Sequence, residues 1–457
     1  MGIIQAAIPF FFLAIGIELL LAVLLGRKVY RLNDSINDLS CGIFQQLFGL
    51  VFKLAMVAVY ALSVEYLSIQ ALFSAPEWTM GAPLVAADNV LGFALNGPAV
   101  FTWVFAFFAY DLAYYWAHRK MHETNLGWAT HVVHHSSEEY NLTVALRQGT
   151  FQTFFSVPFY VPLAVLGIPW EVFLTVGALN LIYQFWVHTR LVGKMGPLEW
   201  IMNTPSHHRV HHGKNPKYID RNHAGVFIIW DRMFGTFQPE EEEPVYGITT
   251  PLNTWNPVAA NLHFFQHLWG NLRRARSLKD AWRILWNKPG WRPDYQGGPL
   301  LPQPVDRTTY RKFHIPLNWR INLYVLLQFA AIVPVTLYTL MNATQLPLGQ
   351  AVGLGFLVVL SLTNLGGIME RKRWAWLSEL GRLSTLLFLT GGLWWKAVAP
   401  LGVAAGVGGF LLLAAVYLFA LRKDLNRGLR EPHPEVAPAA VAADETGTKA
   451  TGQPSSS

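Results

Sequence analysis

The chain has 457 residues, of which 52% are hydrophobic and only 14% charged, with a formal net charge of +7, whereas soluble domains carry about a quarter charged residues. The deficit excludes one large soluble core and points to membrane spans, and the 18 Trp suit rings seated at a bilayer interface. A single cysteine, Cys41, excludes a disulfide framework and any cysteine-held zinc or iron–sulfur centre. Lys and Arg sit beside apolar segments, which indicates a cytosolic-face bias and no nucleic-acid partner.

Apolar runs long enough to cross a bilayer cover 3–26, 43–63 and 93–117. Residues 1–26 lack a basic start, so the first run is expected to be a span and not a cleaved leader. Runs 150–166 and 169–188, joined at Gly167-Ile168-Pro169, predict a helical hairpin. A polar, mixed segment fills 189–319, and further apolar runs cover 320–341, 347–366, 375–396 and 399–421. Glu379 and Arg382 interrupt the start of the 375–396 run. From 431 onward Pro, Ala, Gly, Thr and Ser without periodicity predict a disordered tail. The expected organisation is a catalytic membrane domain over 1–319, C-terminal transmembrane helices over 320–430, and a tail over 431–457.

Charge orients these spans. Arg27, Lys28 and Arg31 follow the first run, Arg371-Lys372-Arg373 the 347–366 run, and Arg422, Lys423, Arg427 and Arg430 the last. The positive-inside rule puts all three groups in the cytosol. Alternation then places 118–149 and 189–319 on the same side. The fold class expected is all-α: a polytopic helical membrane protein with a histidine-rich domain at the cytosolic face. Two charges, Glu18 and Lys53, fall inside the first two spans, at depths of about 12 and 15 Å for a rise of 1.5 Å per residue. They are expected to pair and fix the packing of those helices, remote from any metal.

Thirteen of the 15 histidines lie between 118 and 267. They form His118-Arg-Lys-Met-His122, His131-Val-Val-His134-His135, and His207-His208-Arg-Val-His211-His212. Helical residues three and four apart share a face, so each cluster presents two or three imidazoles to one point. Imidazole suits Fe, Zn, Cu and Ni. Eight or more exceed what one ion takes, so two metal ions are expected. The His-Glu-x-x-His peptidase motif is absent. Two redox metals at a membrane face fit O₂ activation. A metal transporter would hold its ligands near the midplane, whereas these histidines sit at or beyond the span ends. His188, ending the hairpin, reaches the same face as a further ligand. Asp111, two turns before His118, is expected to be a carboxylate behind the ligands. Glu123 is expected to do likewise or to touch a cofactor. Ser136-Ser-Glu-Glu139 fits a capping box. His207, His223, His263 and His267 are expected behind the ligands or at the surface, and His314 and His433 receive no role.

One His-x-x-x-His and two His-x-x-His-His boxes resemble the fatty acid hydroxylase/sterol desaturase superfamily. The phrases Ala113-Tyr-Tyr-Trp-Ala-His118, His134-His-Ser-Ser-Glu-Glu-Tyr-Asn141, Tyr183-Gln-Phe-Trp-Val-His-Thr189, Asn203–Gly213 and Ile229–Phe237 are most similar to its glyceryl-ether-cleaving branch. The resemblance implies a non-haem di-iron centre with His118, His122, His131, His134, His135, His208, His211 and His212 as iron ligands. It supports His188 as another and Glu123 as a functional carboxylate. It also implies O₂, an ether-lipid substrate and tetrahydrobiopterin as reductant. A sterol or fatty acid substrate served by a protein electron donor is the alternative. The expected location is the inner membrane of a bacterium or the endoplasmic reticulum of a eukaryote, with the site facing the cytosol.

Overall fold

A computed structural model describes residues 3–73, 97–302, 305 and 309–427. The expected tail over 431–457 and the first residues of the 93–117 run lie outside the described residues. Among those described, the chain is helical, with one isolated bridge between Met202 and Phe227. In chain order the helices are α1 (Ile3–Leu24), α2 (Leu32–Leu67), α3 (Ile69–Phe73), α4 (Gly97–Glu123), α5 (Asn125–His135), α6 (Leu142–Ala145), α7 (Gln152–Val165) and α8 (Trp170–Trp186). There follow α9 (Pro205–His211), α10 (Ile229–Met233), α11 (Pro257–Leu272) and α12 (Leu278–Trp286), then α13 (Trp319–Met341), α14 (Leu348–Met369), α15 (Arg373–Trp395), α16 (Leu401–Ala420) and α17 (Arg422–Arg427). Five stretches are long and apolar enough to cross a membrane: α1, residues 54–73, α13, α14 and α16. The chain is a multi-pass membrane protein.

The expected spans fall on helices α1, α2, α4, α7, α8 and α13 to α16, but among the described residues α4, α7, α8 and α15 do not reach the length and apolarity of a membrane span. Two helices outrun their apolar segments. α2 has 36 residues, about 54 Å at the α-helical rise, well beyond a hydrocarbon core of about 30 Å. Its polar first turns were legible only as a connection. They form helix because Asp38 has partners there: Thr143 Oγ1 donates at 2.9 Å, Ser137 Oγ at 3.3 Å and Arg147 Nη1 at 3.2 Å. α4 likewise continues past residue 117 and carries His118 and His122 beyond the apolar run.

α4 packs against α5, α7 and α8, and α2 packs against α7. Tyr60, Tyr110, Tyr160 and Phe173 fill the core between them, with the Tyr60 and Phe173 rings stacked at 4.1 Å. α13 to α16 form a second bundle whose core includes Ile36 of α2 and Trp255. The interrupted run at 375–396 is continuous helix. Glu379 and Arg382 are buried there as a pair at 2.6 Å, and the remaining carboxylate sites accept from Tyr324 Oη at 2.8 Å and Asn364 Nδ2 at 3.0 Å. A charge inside a bundle persists when it is paired and fully hydrogen-bonded.

Glu18 differs from expectation. Its carboxylate accepts from Tyr30 Oη, Thr189 Oγ1 and the Leu142 backbone N–H, the last at 2.8 Å. It therefore ties α1 to the residue following His188, close to the histidine cluster and not remote from it. The Lys53 side chain lies outside the described residues. Ser136 caps the C-terminus of α5 and opens no helix, so 136–139 is not a capping box. Glu138 accepts from Tyr310 and from the Phe313 N–H, and Glu139 pairs with Lys312 at 2.5 Å.

Candidate metal centre

α4 delivers His118 and His122 from its last two turns, and Thr124 caps the start of α5, accepting from Gly127 N–H at 3.1 Å. α5 then carries His131, His134 and His135. His188 follows α8, and α9, which opens with Pro205 in its first turn, carries His208 and His211, with His212 as its cap. All nine imidazoles predicted from the sequence are buried and converge.

They divide into two groups that cut across the sequence boxes. His118, His122, His131, His135 and His211 form one, and His134, His188, His208 and His212 the other. Within each group the potential ligand atoms lie within 4.8 Å of one another. In the first, the rings of His118, His131, His135 and His211 form a cycle with neighbouring centroids 4.5–4.9 Å apart. The His122 ring lies 4.6–5.2 Å from all four. This is a square pyramid with His122 at its apex. In the second, His134 and His208 stand 6.5 Å apart across the group, while His188 and His212 are 5.2 Å apart. The second group meets the base of the pyramid, through His135 and His212 at 4.3 Å and His208 and His211 at 5.1 Å.

Proton placement tests whether the donors suit metal. His118 Nδ1 faces the His223 carbonyl at 2.8 Å, and His131 Nδ1 faces Gln152 Oε1 at 3.1 Å. His134 Nδ1 faces the Arg147 carbonyl at 2.7 Å, and His188 Nδ1 the Gln184 carbonyl at 2.8 Å. An oxygen of this kind only accepts, so each Nδ1 carries the proton and each Nε2 presents a lone pair. Yet His118 Nε2 and His131 Nε2 are 3.0 Å apart, and His134 Nε2 and His188 Nε2 are 3.3 Å apart. Two lone pairs facing at this distance have no proton to share. Two nitrogens bound at right angles to one metal, each at roughly 2.1 Å, stand about 3.0 Å apart. The Nε2 atoms of His122, His211 and His212 are also buried without a hydrogen-bond partner. Burial, with the Arg147 charge beside it, pushes His134 down to about 4, and burial holds His131, His135, His208, His211 and His212 well below the usual histidine range, with neighbouring imidazoles acting in the same direction on these five. Neutral imidazoles are the form that binds metal.

Asp111 is fully buried but touches no imidazole. It accepts from Asn180 Nδ2 at 2.6 Å, Val226 N–H at 2.8 Å, Phe227 N–H at 3.0 Å and Trp230 Nε1 at 2.9 Å. It thus anchors the loop whose His223 carbonyl receives His118. Gly225 permits the approach, since a Cβ there would stand 2.7 Å from Asp111 Oδ1. Glu123 is partly exposed, held by Arg119 Nε at 2.7 Å and Lys120 Nζ at 2.5 Å. His223 is fully buried with its ring 5.1 Å from that of His122 and both ring nitrogens unpartnered. His207 packs on Phe237, while His263 and His267 lie on α11, outside both groups. The carbonyls of Arg147, Gln184, Arg221 and His223 were missed because a backbone acceptor leaves no side-chain signature.

Comparison with known proteins agrees with this geometry. The family model described as fatty acid hydroxylase matches residues 103–236, the segment that holds all nine histidines. The alkylglycerol monooxygenase of Danio rerio is 37% identical over 420 residues, covering 91% of this chain and 88% of its own. Those of Xenopus tropicalis and Homo sapiens are 36% and 35% identical, each covering 84% of this chain and 81% of its own. No solved structure matches. The fold, the paired histidine groups and these relatives agree: the chain belongs to the alkylglycerol monooxygenase family of membrane lipid monooxygenases.

Proposed function

We propose that the nine histidines hold two iron ions, five imidazoles on one and four on the other, at the cytosolic face. On this reading the chain hydroxylates the ether-linked alkyl carbon of an alkylglycerol with tetrahydrobiopterin as reductant. The observation that carries it is the two pairs of facing, proton-free Nε2 atoms. Bound iron supplies the activation of O₂. In the net reaction one oxygen atom enters the carbon bonded to the ether oxygen, and the hemiacetal so formed separates into a fatty aldehyde and a glycerol. The other oxygen leaves as water with two electrons and two protons from the reductant.

The protein's part is placement. The carbonyls behind His118, His134, His188 and His211 fix ring orientation and tautomer. The apolar packing of α2, α4, α7 and α8 keeps water away and lets an alkyl tail approach from the bilayer while its polar end stays at the interface. Residues 1–319 are the catalytic domain on this reading and 320–430 an accessory bundle. The test is turnover of purified protein with an alkylglycerol and with a sterol, each given a tetrahydropterin or a ferredoxin or cytochrome b5 donor. Aldehyde release from the alkylglycerol, dependent on the tetrahydropterin, is expected. Activity confined to the protein donors, or to the sterol, would replace this reading by that of a sterol desaturase or fatty acid hydroxylase.

A further inference from the structure

The outer nitrogens of the histidines do not all face the same chemistry. His118, His134, His188 and His211 face backbone carbonyls, and His131 faces the neutral amide of Gln152. His122, the apex of the five-histidine group, faces a carboxylate: its Nδ1 lies 3.9 Å from Asp220 Oδ1. That separation is a charge contact and not a hydrogen bond.

A short loop is shaped to put the carboxylate there. Asp220 and Asn222 have φ of 56° and 54°, the left-handed region that Asp and Asn enter more readily than most residues. The Asn222 side chain donates to the carbonyls of His207 at 3.0 Å and Gln238 at 2.7 Å, and accepts from Gln238 N–H at 2.8 Å. Asp231 holds the other end, accepting from the N–H groups of His223 and Ala224, each at 2.8 Å. Between these anchors the Arg221 carbonyl takes His211 at 2.9 Å and the His223 carbonyl takes His118 at 2.8 Å. Three of four consecutive residues, Asp220, Arg221 and His223, therefore each serve a different member of one histidine group.

We propose that Asp220 is a positioning residue that tunes the five-histidine metal alone and so makes the two metals electronically unequal. This rests on the di-iron reading above. A carboxylate behind a ligating imidazole raises its basicity and favours the more oxidised state of the metal it holds. In the four-histidine group His134 and His188 have neutral carbonyls behind them, His208 Nδ1 is buried without a partner, and among the described residues no ion pair joins a carboxylate to any of the four rings, so that metal receives no such bias. The five-histidine iron is then the first of the two to give up an electron.

The test is a redox titration of ⁵⁷Fe-loaded protein in detergent, followed by Mössbauer spectroscopy, with iron per chain measured alongside. Asp220→Asn keeps a residue suited to the left-handed backbone while removing the charge. It is expected to retain both irons and to raise the potential of one by about 59 mV, the one-electron equivalent of a tenfold change in the ratio of oxidised to reduced iron. The other iron is expected to stay unmoved. Gln152→Glu puts a carboxylate behind His131 of the same group and is expected to lower the same iron's potential. Unmoved potentials in both variants, or equal shifts of both irons, overturn the assignment. Wild-type protein that binds no iron refutes the di-iron reading itself, so the two failures are distinct.

Discussion

Asp111→Asn separates a carboxylate that carries architecture from one that is merely tolerated. Its two oxygens take four donors, Asn180 Nδ2 and Val226 N–H on Oδ1, and Phe227 N–H and Trp230 Nε1 on Oδ2. An asparagine keeps the shape but turns one oxygen into an NH₂ group, so two donors lose their acceptor and face another donor. Each buried donor left unsatisfied costs about 1–3 kcal/mol, which puts the loss at about 2–6 kcal/mol. The loss extends to the metal centre, because the freed strand of chain at 226–227 is three residues from the His223 carbonyl that orients His118. Thermal unfolding in detergent micelles and iron content per chain read the two effects. A lower melting temperature accompanied by iron loss is expected. An Asp111→Asn protein that melts like the wild type and keeps the wild-type metal content refutes the claim that this carboxylate positions the loop.

His135→Ala, which removes an imidazole from the base of the pyramid, is expected to abolish turnover and lower bound iron while the protein stays membrane-inserted; full iron with normal activity sinks its assignment as a ligand. Arg382→Met leaves Glu379 buried without its cation and is expected to cost about 3–5 kcal/mol, whereas Glu379→Gln combined with Arg382→Met should recover much of it, as measured by thermal unfolding. For pH, His134 is pushed down to about 4 in the folded protein against about 6.5 in the unfolded chain. The unfolded chain therefore binds the extra proton between those values, and the metal-free protein should lose stability as pH falls from 6.5 toward 4, with no contribution from this group above 6.5. Denaturation of metal-free protein that is equally easy at pH 7 and pH 5 contradicts this.

Spacing along the chain was enough to single out eight of the nine histidines, because i, i+3 and i+4 positions of a helix lie near one another on its surface whatever the helix packs against, and His188 was legible from its place at the end of the hairpin. The long apolar runs were equally legible, since a bilayer demands about 20 apolar residues in sequence. How the nine divide was not legible. His134 leaves its neighbours His131 and His135 to join His188, His208 and His212, and His211 leaves His208 and His212 to join the first group. Rings four apart stay together, as His118 with His122, His131 with His135 and His208 with His212, whereas rings three apart fall into different groups, because positions i+3 and i+4 point about 100° apart around the helix axis. That choice depends on how α4, α5 and α9 cross, which is a property of packing. The groups behind the rings were further out of reach, since a backbone carbonyl such as that of Arg221 or His223 is common to every residue and becomes an orienting group only where the chain folds it against an imidazole. Asp111 and Glu18 show the same division: the sequence marks each as a charge that must be compensated inside an apolar segment, but only the tertiary structure supplies the partners, and in both cases some of these, such as the Val226 N–H for Asp111 and the Leu142 N–H for Glu18, lie more than a hundred residues away.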